Sequence, residues 1–433
     1  MVKIPDHIFP RIILVTSSTK PQNTQLDPSA IAVFTAAPWE SAVVVLRITG
    51  PAGMAGMRVI QGNQGPQVSK EAVAEADLVV IQRDFPRFWR DYKHIISLAR
   101  EKGKPVIYDL DDLLVEIPHG HSHRGDYAGE ILTMLYAIID ADLVTASSSN
   151  LVAYLSELNP NVKLIDNYLN DHLWVIRPPE NRDEKNSKVS IGFMGGQTHR
   201  ADLEYIKRSL LNVNDKFSDQ VIYKFWGTQP PEELLSLPTT QWNPINQEDY
   251  AQFASFFSEQ DCDILIAPLV DNAFNQAKSG LKFLEYSVLG AAGVYSNLPP
   301  YERMVVQGKN GFLADNLDDW ETYLSTLIDN PSLRIQIASA AQQMVQQEWL
   351  LSSNYYQFMD IYQAALEEER KLLGNGQSKE NLKSIISHSE EYQSDLEDRL
   401  YSVDNQLKEI LDSRSWRYLK KIQNLRLKFI PKR

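Results

Sequence analysis

Lysine, serine and glycine stand together at Lys278-Ser279-Gly280, and a carboxylate follows at Glu285. If a helix begins at the serine, its first backbone N–H groups have no partner and its dipole places partial positive charge there. Such an end binds phosphate, and the lysine adds a full charge. Glu285 then lies about two turns further along, where its carboxylate can accept hydrogen bonds from sugar hydroxyls. Together these residues suit a diphosphate with a ribose attached. The plain alternative is an amphipathic helix whose Lys282 and Glu285 are merely solvated. A second stretch, Met194-Gly195-Gly196-Gln197-Thr198-His199, puts two glycines where a ligand could approach the backbone closely. Its spacing is not GxGxxG, and His199 is open to a helix-capping role as well as a binding one.

Both stretches need scaffolding, and the flanking pattern supplies it. Asp263-Ile264-Leu265-Ile266-Ala267 is a short apolar run stopped by Pro268, which predicts a buried parallel strand. A polar loop is expected over Asp271 to Ala277 and a helix over Ser279 to Leu289. Gly290 ends that helix, and Val294-Tyr295-Ser296 begins another strand. Strands are likewise expected at Arg11 to Thr16, Ala30 to Thr35, Leu78 to Ile81, Pro105 to Tyr108, Leu143 to Ala146, Val162 to Ile165, Val189 to Phe193 and Val221 to Trp226. Helical periodicity runs over Phe85 to Lys102, Ile131 to Ile139, Leu151 to Leu158, Tyr250 to Phe257, Asp318 to Ile328 and Ser332 to Glu348. Arg47 to Gly56 is glycine-rich and reads as a loop near the cleft. Such alternation predicts doubly wound parallel sheets with right-handed crossovers. The polar, proline-bearing run Ile176 to Lys188 reads as a linker. Residues 1–175 are therefore expected to form one domain and 189–348 another, followed by helices over 349–373 and a helical extension over 379–433.

The residues around Lys278 also carry a resemblance. The stretch Ala267 to Glu302 resembles the donor-binding segment of retaining glycosyltransferases of family 4, bacterial surface-glycan type, which have the GT-B fold. Their helix usually carries two glutamates eight positions apart, and Glu285 matches the second, which holds the nucleotide ribose. Ala277 stands where the first would be. A branch of the family instead reads Asn, Lys-Ser, Lys and Glu, which Asn275, Lys278, Ser279, Lys282 and Glu285 match. The same branch reads Gly, Thr-His and Asp after the first strand of its second domain, as at Gly195, Thr198-His199 and Asp202. The resemblance implies an α/β, GT-B-like chain of two Rossmann-like domains with a helical C-terminal extension. It further implies a nucleotide-sugar-dependent, hexosyltransferase-type enzyme acting with retention. Gly195, Gly196, Thr198, Asn275, Ser279, Gly280, Lys282 and Glu285 would hold the donor, and Lys278, Asp111 and His199 would act at the reacting centre. Lys278 would take the part a metal plays elsewhere, so no metal or other cofactor is called for. The acceptor would be a glycan or lipid-linked glycan.

Other constellations are weighed against duller readings. Asp109-Leu110-Asp111-Asp112 closes a strand, where α/β sheets face their ligand crevice. Family 4 proteins often carry His-Asp there; Asp112 matches the aspartate, and Asp111 replaces the histidine. These carboxylates could orient an acceptor hydroxyl or bind a metal, or simply cap the next helix. His119, His121 and His123 lie in a glycine-bearing loop without a partner at ligand spacing, so a contact to the acceptor is favoured over a metal.

The 433-residue chain has one cysteine, Cys262, which excludes an internal disulfide and fits a reducing compartment. No apolar run approaches ~18 residues and the N-terminus lacks a signal-peptide pattern, so a cytoplasmic protein is expected. The net charge of −13 is unevenly placed: Asp412 to Arg433 holds eight basic residues and one acid, a net of +7 that leaves −20 for the rest. An acidic body argues against nucleic acid as a partner. The basic tail, with Tyr418, Ile422, Leu425 and Phe429 on one helical face, suits an anionic membrane surface reached from the cytoplasmic side. Leu382, Ile386, Ser389, Gln393, Leu396, Leu400, Val403, Leu407 and Ile410 follow a 4-3 spacing that is polar at Ser389 and Gln393, so 379–411 is open to self-association or to folding back on the body. Two further classes stay in view: a non-catalytic scaffold binding a nucleotide or glycan, which Ala277 favours, and a sugar-nucleotide epimerase, which the tail disfavours.

Overall fold

The computed structural model describes residues 30–179, 188–245, 248–367 and 376–412. The strand expected at Arg11 to Thr16, most of the linker and the basic tail beyond Asp412 lie outside them.

Two six-stranded, wholly parallel sheets carry the molecule. The first contains β1 (Ala30–Thr35), β2 (Arg58–Gln61), β3 (Leu78–Gln82), β4 (Val106–Leu110), β5 (Leu143–Ala146) and β6 (Val162–Leu164), in the order β2-β1-β3-β4-β5-β6. The second contains β7 (Val189–Gly195), β8 (Val221–Gly227), β9 (Thr240–Asn243), β10 (Ile264–Ala267), β11 (Ala292–Ser296) and β12 (Phe312–Ala314), in the order β9-β8-β7-β10-β11-β12. Inner strands such as β1, β3 and β10 are buried along their length because helices cover both faces of each sheet, while the edge strands β2, β6 and β9 are part polar and part exposed. Phe34, Val79, Ile81, Tyr92 and Ile95 pack on one face of the first; Ile191, Phe193, Ile206, Leu210 and Trp320 fill one face of the second.

The helices that matter here are α1 (Trp89–Glu101), α2 (Ile131–Asp140), α3 (Ser149–Ser156), α4 (Arg200–Phe217), α5 (Tyr250–Ser258), α6 (Leu281–Val288), α7 (Leu317–Asp329), α8 (Pro331–Glu348), α9 (Tyr356–Glu367) and α10 (Gly376–Asp412). Their boundaries follow local chemistry. Ser148 caps α3, its hydroxyl accepting from the Leu151 N–H, and Asn330 caps α8 just before Pro331. Gly290 follows α6 with φ of 73°, a backbone shape that costs glycine nothing.

After α8 the chain returns to the first sheet. Leu169 and Leu351 exchange backbone hydrogen bonds with Trp349 and Leu169 respectively, and α9 lays Tyr362 and Ala365 on Ile31 and Val33. α10 then packs its first part against α2: Ile386 is buried and Lys383 lies 2.6 Å from the Asp140 carboxylate. Further along, Leu400, Tyr401, Val403, Leu407 and Leu411 are exposed. No helix among the described residues is long and apolar enough to cross a membrane.

Two expectations fail locally. Arg47 to Gly56 is not a loop: helical turns run over Ala42–Val44, a wide π-type turn over Val45–Thr49 and a further turn over Gly50–Met54. Leu46, Ile48 and Ala52 are buried there, and Pro51 sits early in its turn, where a missing N–H costs nothing, so packing overrides the glycines. Asp271 to Ala277 is not all loop either. Asn272 caps one helical turn, Ala273–Gln276, by accepting from the Asn275 N–H at 2.9 Å.

Candidate active site

The C-terminal ends of the two sheets face each other across a cleft, the usual position for a ligand between α/β sheets. A cavity of about 370 Å³ lies in it. Asp111, Gly195, Gly196, His199, Lys278, Ser279, Lys282 and Glu285 all line this cavity. Residues eighty or more positions apart are thus brought together. Thr198 and Asn275 do not line it, and Gly280 lines a neighbouring cavity instead.

Glu285 sits on the buried side of α6. Its Oε1 accepts from the Tyr250 hydroxyl at 3.0 Å, and the Trp174 indole N–H donates to that hydroxyl, also at 3.0 Å. Burial raises the Glu285 carboxyl to about 7, against the pull of Lys282 and the Tyr250 hydrogen bond. Lys282, one turn earlier, donates to the Met194 carbonyl at 2.7 Å. Burial lowers it to about 8, Glu285 working in the opposite sense. A buried carboxyl and a buried ammonium, each short of solvation, make this end of the cavity suited to a ligand that supplies polar partners.

The glycine turn is held open from below. The Thr228 N–H and hydroxyl both donate to the Gly195 carbonyl, at 2.7 and 2.9 Å. His199 Nδ1 lies 2.8 Å from Asp202 Oδ2, while Asp202 Oδ1 accepts from Val270 N at 2.8 Å and from the Asn275 amide at 3.2 Å. Burial and the nearby lysines hold the imidazole down at about 4, against Asp202, so it is neutral at neutral pH. An acceptor-only Asp202 assigns the proton to Nδ1 and leaves Nε2 to accept. Asn275 thereby braces His199 through Asp202.

Across the cleft, Lys278 Nζ lies 3.6 Å from Asp112 Oδ1 and 4.4 Å from the centre of the Phe274 ring. Asp111 turns instead to Arg83, at 2.6 Å. Burial raises Asp111, with Arg83 opposing. Burial also raises Asp112, but Lys278 and Arg83 more than reverse it, so the two neighbouring carboxyls are pushed apart. Arg83 itself is a non-glycine residue at φ of 51°, a strained shape of the kind that clusters at functional sites. The cleft-facing carboxylate is therefore Asp112 at least as much as Asp111. His121 packs on Phe274 and His123 pairs with Asp126 at 2.7 Å.

Several cavity residues carried no signal in the sequence. Arg47, fully buried, donates to Asp109 at 2.7 Å and to Asn167 at 3.2 Å, and Asn167 donates across the cleft to Ser279 at 2.9 Å. A lone basic residue inside the apolar run Val43 to Ile48 is the hint that could have exposed it. Tyr250 and Phe253, on α5, wall the Glu285 end; nothing in the sequence separates them from ordinary core aromatics. Ala277 is buried against the first domain, and its carbonyl accepts from the Ser148 hydroxyl at 2.6 Å.

Two facing parallel sheets, a cleft between their C-terminal edges and a chain that crosses back at its end define the GT-B fold. Solved structures agree. Sucrose-phosphate synthase from Thermosynechococcus elongatus matches over 78% of this chain and 98% of its own, with a TM-score of 0.56 and 13% identity. HepE of Anabaena, solved with UDP-glucose, matches over 78% and 100% with a TM-score of 0.53 and 15% identity. A glycosyltransferase from Rickettsia africae matches over 79% and 100%, at 0.53 and 14%. In sequence, a Bacillus subtilis (strain 168) protein provisionally named teichuronic acid biosynthesis glycosyltransferase TuaH is 25% identical over 218 residues, 46% of this chain. The chain thus spans about half, 52%, of the length of that relative. No family model matches.

Proposed function

We propose that this chain is a glycosyltransferase that moves a sugar from a nucleotide-sugar to a glycan or lipid-linked glycan, with retention and without a metal. The observation that carries the reading is the single cavity in which Glu285, Lys278, Lys282 and the Gly195-Gly196 turn converge between two GT-B sheets. Glu285 takes the ribose hydroxyls, with Tyr250 fixing its orientation. Gly195, Gly196 and the start of α6 offer backbone N–H groups to the diphosphate, and Lys278 opposes the charge that grows on it as the bond breaks. The acceptor oxygen bonds to the anomeric carbon. The old bond's electron pair stays on the diphosphate, which also takes the acceptor's proton. His199 Nε2 accepts from a donor-sugar hydroxyl, and Asp111 and Asp112 line the same cavity, where the acceptor hydroxyl reaches the anomeric carbon.

A scaffold that binds a nucleotide without turnover is the second reading. It draws on Ala277: a buried alanine whose carbonyl is already engaged offers the donor sugar no carboxylate. Supplying the purified chain with a panel of nucleotide-sugars separates the two. Uridine diphosphate sugars come first, because HepE shares the fold and was solved with one. Turnover with release of nucleoside diphosphate is expected; tight binding with no turnover across the panel would leave the scaffold. The basic segment 412–433 is proposed to hold the chain at the inner face of an anionic membrane, and 379–411 to allow self-association.

A further inference from the structure

Beside the donor cavity lies a second one, of about 300 Å³, that shares only Lys278 and Ser279 with it. We infer that this second cavity is the acceptor subsite and that it takes a neutral saccharide; the inference rests on the transfer reading above and assigns the other substrate.

Both domains build it. Ser149 and Asn150, at the start of α3, come from the first, and Gln276, Pro299, Glu302 and Met304 from the second. Its polar groups divide into two kinds. The Ser147 hydroxyl donates to the Asp111 carbonyl and the Ser148 hydroxyl to the Ala277 carbonyl, both at 2.6 Å, so these two brace the walls. Ser149 and Asn150 make no side-chain hydrogen bond among the described residues, and Gln276 uses only its amide N–H, donating to Asp271 at 2.7 Å. What faces the cavity is thus a hydroxyl, an amide and an amide carbonyl, groups that both donate and accept. That is the pairing capacity a sugar's hydroxyls need. Pro299 and Met304 add an apolar patch for the C–H face of a ring.

Charge argues against a phosphate ligand here. Arg303 is spent on Asp166 in a two-point pair at 2.8 and 3.0 Å. That leaves Lys278 and Glu302 as opposite charges on the walls, so the cavity is close to neutral. Position supports the assignment as well. Transfer needs both substrates to meet at one point, and the only walls common to the two cavities flank the Lys278 ammonium. An acceptor in this subsite bridges α3 and the 299–304 turn, so it favours the closed cleft already tied by Asn167 to Ser279 and Ser148 to Ala277.

The test uses the full chain with nucleoside diphosphate bound and methyl glycosides of glucose, galactose, mannose, N-acetylglucosamine and glucuronic acid as probes. Binding is read by saturation-transfer NMR. At least one neutral glycoside should give a signal. Asn150→Ala and Gln276→Ala, on opposite walls, should each weaken it about fivefold, the loss of roughly one hydrogen bond. Calorimetric affinity for the nucleoside diphosphate should stay within about twofold, since neither residue lines the donor cavity. A glycoside signal indifferent to both variants overturns the assignment. So does binding of the glucuronide alone, or displacement of the glycosides by inorganic pyrophosphate in a manner that both variants relieve. A chain that binds no nucleoside diphosphate at all defeats the donor reading beneath it, an outcome distinct from these.

Discussion

At the scale of single residues, the proposed donor cavity depends on charge held where solvent is scarce. Glu285→Ala removes a charged acceptor from a buried site, a loss of ~1.5–3 kcal/mol, so nucleotide affinity by calorimetry should fall about tenfold to a hundredfold. Lys278→Ala should lower turnover more than it lowers affinity for the free nucleoside, because in the proposed reaction the ammonium acts on charge that appears only as the bond breaks. Equal, small effects on both would return Lys278 to the solvated surface. Glu285 also makes a pH prediction. A carboxyl raised from 4.5 to about 7 on folding binds its proton more tightly in the native state. Native stability therefore falls as pH climbs through that window and levels off above it. Glu285→Gln does not titrate, so its melting temperature relative to the parent should rise between about pH 5 and pH 7.5. A pH-independent difference would mean that Glu285 is not desolvated. Residue types alone pointed to Lys278, Lys282, Glu285 and His199, since charge beside glycine or at a helix start is visible in a sequence. Tyr250 and Phe253 were hidden: their roles come from a partner's position, which no spacing encodes.

At the scale of elements, the inner parallel strands were legible because each is a short apolar run flanked by turn residues, and Gly290 and Pro331 marked a helix end and a helix start. The edge strands β2 and β9 were not legible, because Arg58–Gln61 and Thr240–Asn243 are half polar. The stretch Arg47 to Gly56 was not, because its glycines describe local preference while burial of Leu46, Ile48 and Ala52 decides the outcome. The glycine turn after β7 depends on the end of β8 in a way that can be tested. Gly227 has φ of 86°, and a Cβ placed there would lie 2.3 Å from the Gly195 carbonyl oxygen. Gly227→Ala therefore combines a left-handed backbone that costs a non-glycine residue ~1–2 kcal/mol with a clash against the turn that lines the donor cavity. Both the melting temperature and the nucleotide affinity should drop. Gly196→Ala, where a Cβ meets nothing within 4 Å, serves as the comparison and should leave stability near the parent's. A Gly227→Ala chain with parental affinity would show that the turn tolerates displacement.

At the scale of the whole molecule, what joins the parts could not be read along the chain, because the ties link residues more than a hundred positions apart: Asn167 to Ser279, Ser148 to Ala277, Arg303 to Asp166. Docking of α10 is a tie of the same kind. Its 4-3 spacing left self-pairing and folding back equally open, and in the structure the first part folds back. Lys383 and Ile386 fasten the first part to α2, while Leu400, Val403 and Leu407 stay exposed beyond the body. This anchored helix leads into the segment from Asp412 to Arg433, whose net +7 contrasts with −20 elsewhere. Each basic residue near an anionic lipid surface contributes ~1 kcal/mol, so several suffice for reversible attachment that would bring the cleft to a lipid-linked acceptor. The competing arrangement has the tail neutralise the acidic body. Sedimentation with vesicles separates them. The full chain should bind anionic vesicles and not neutral ones, binding should weaken as salt rises, and a chain ending at Leu411 should stay in the supernatant. If the shortened chain sediments as well as the full one, the tail is not the anchor. The exposed apolar row on α10 then becomes the surface to examine, by measuring whether the shortened chain is a dimer in the absence of lipid.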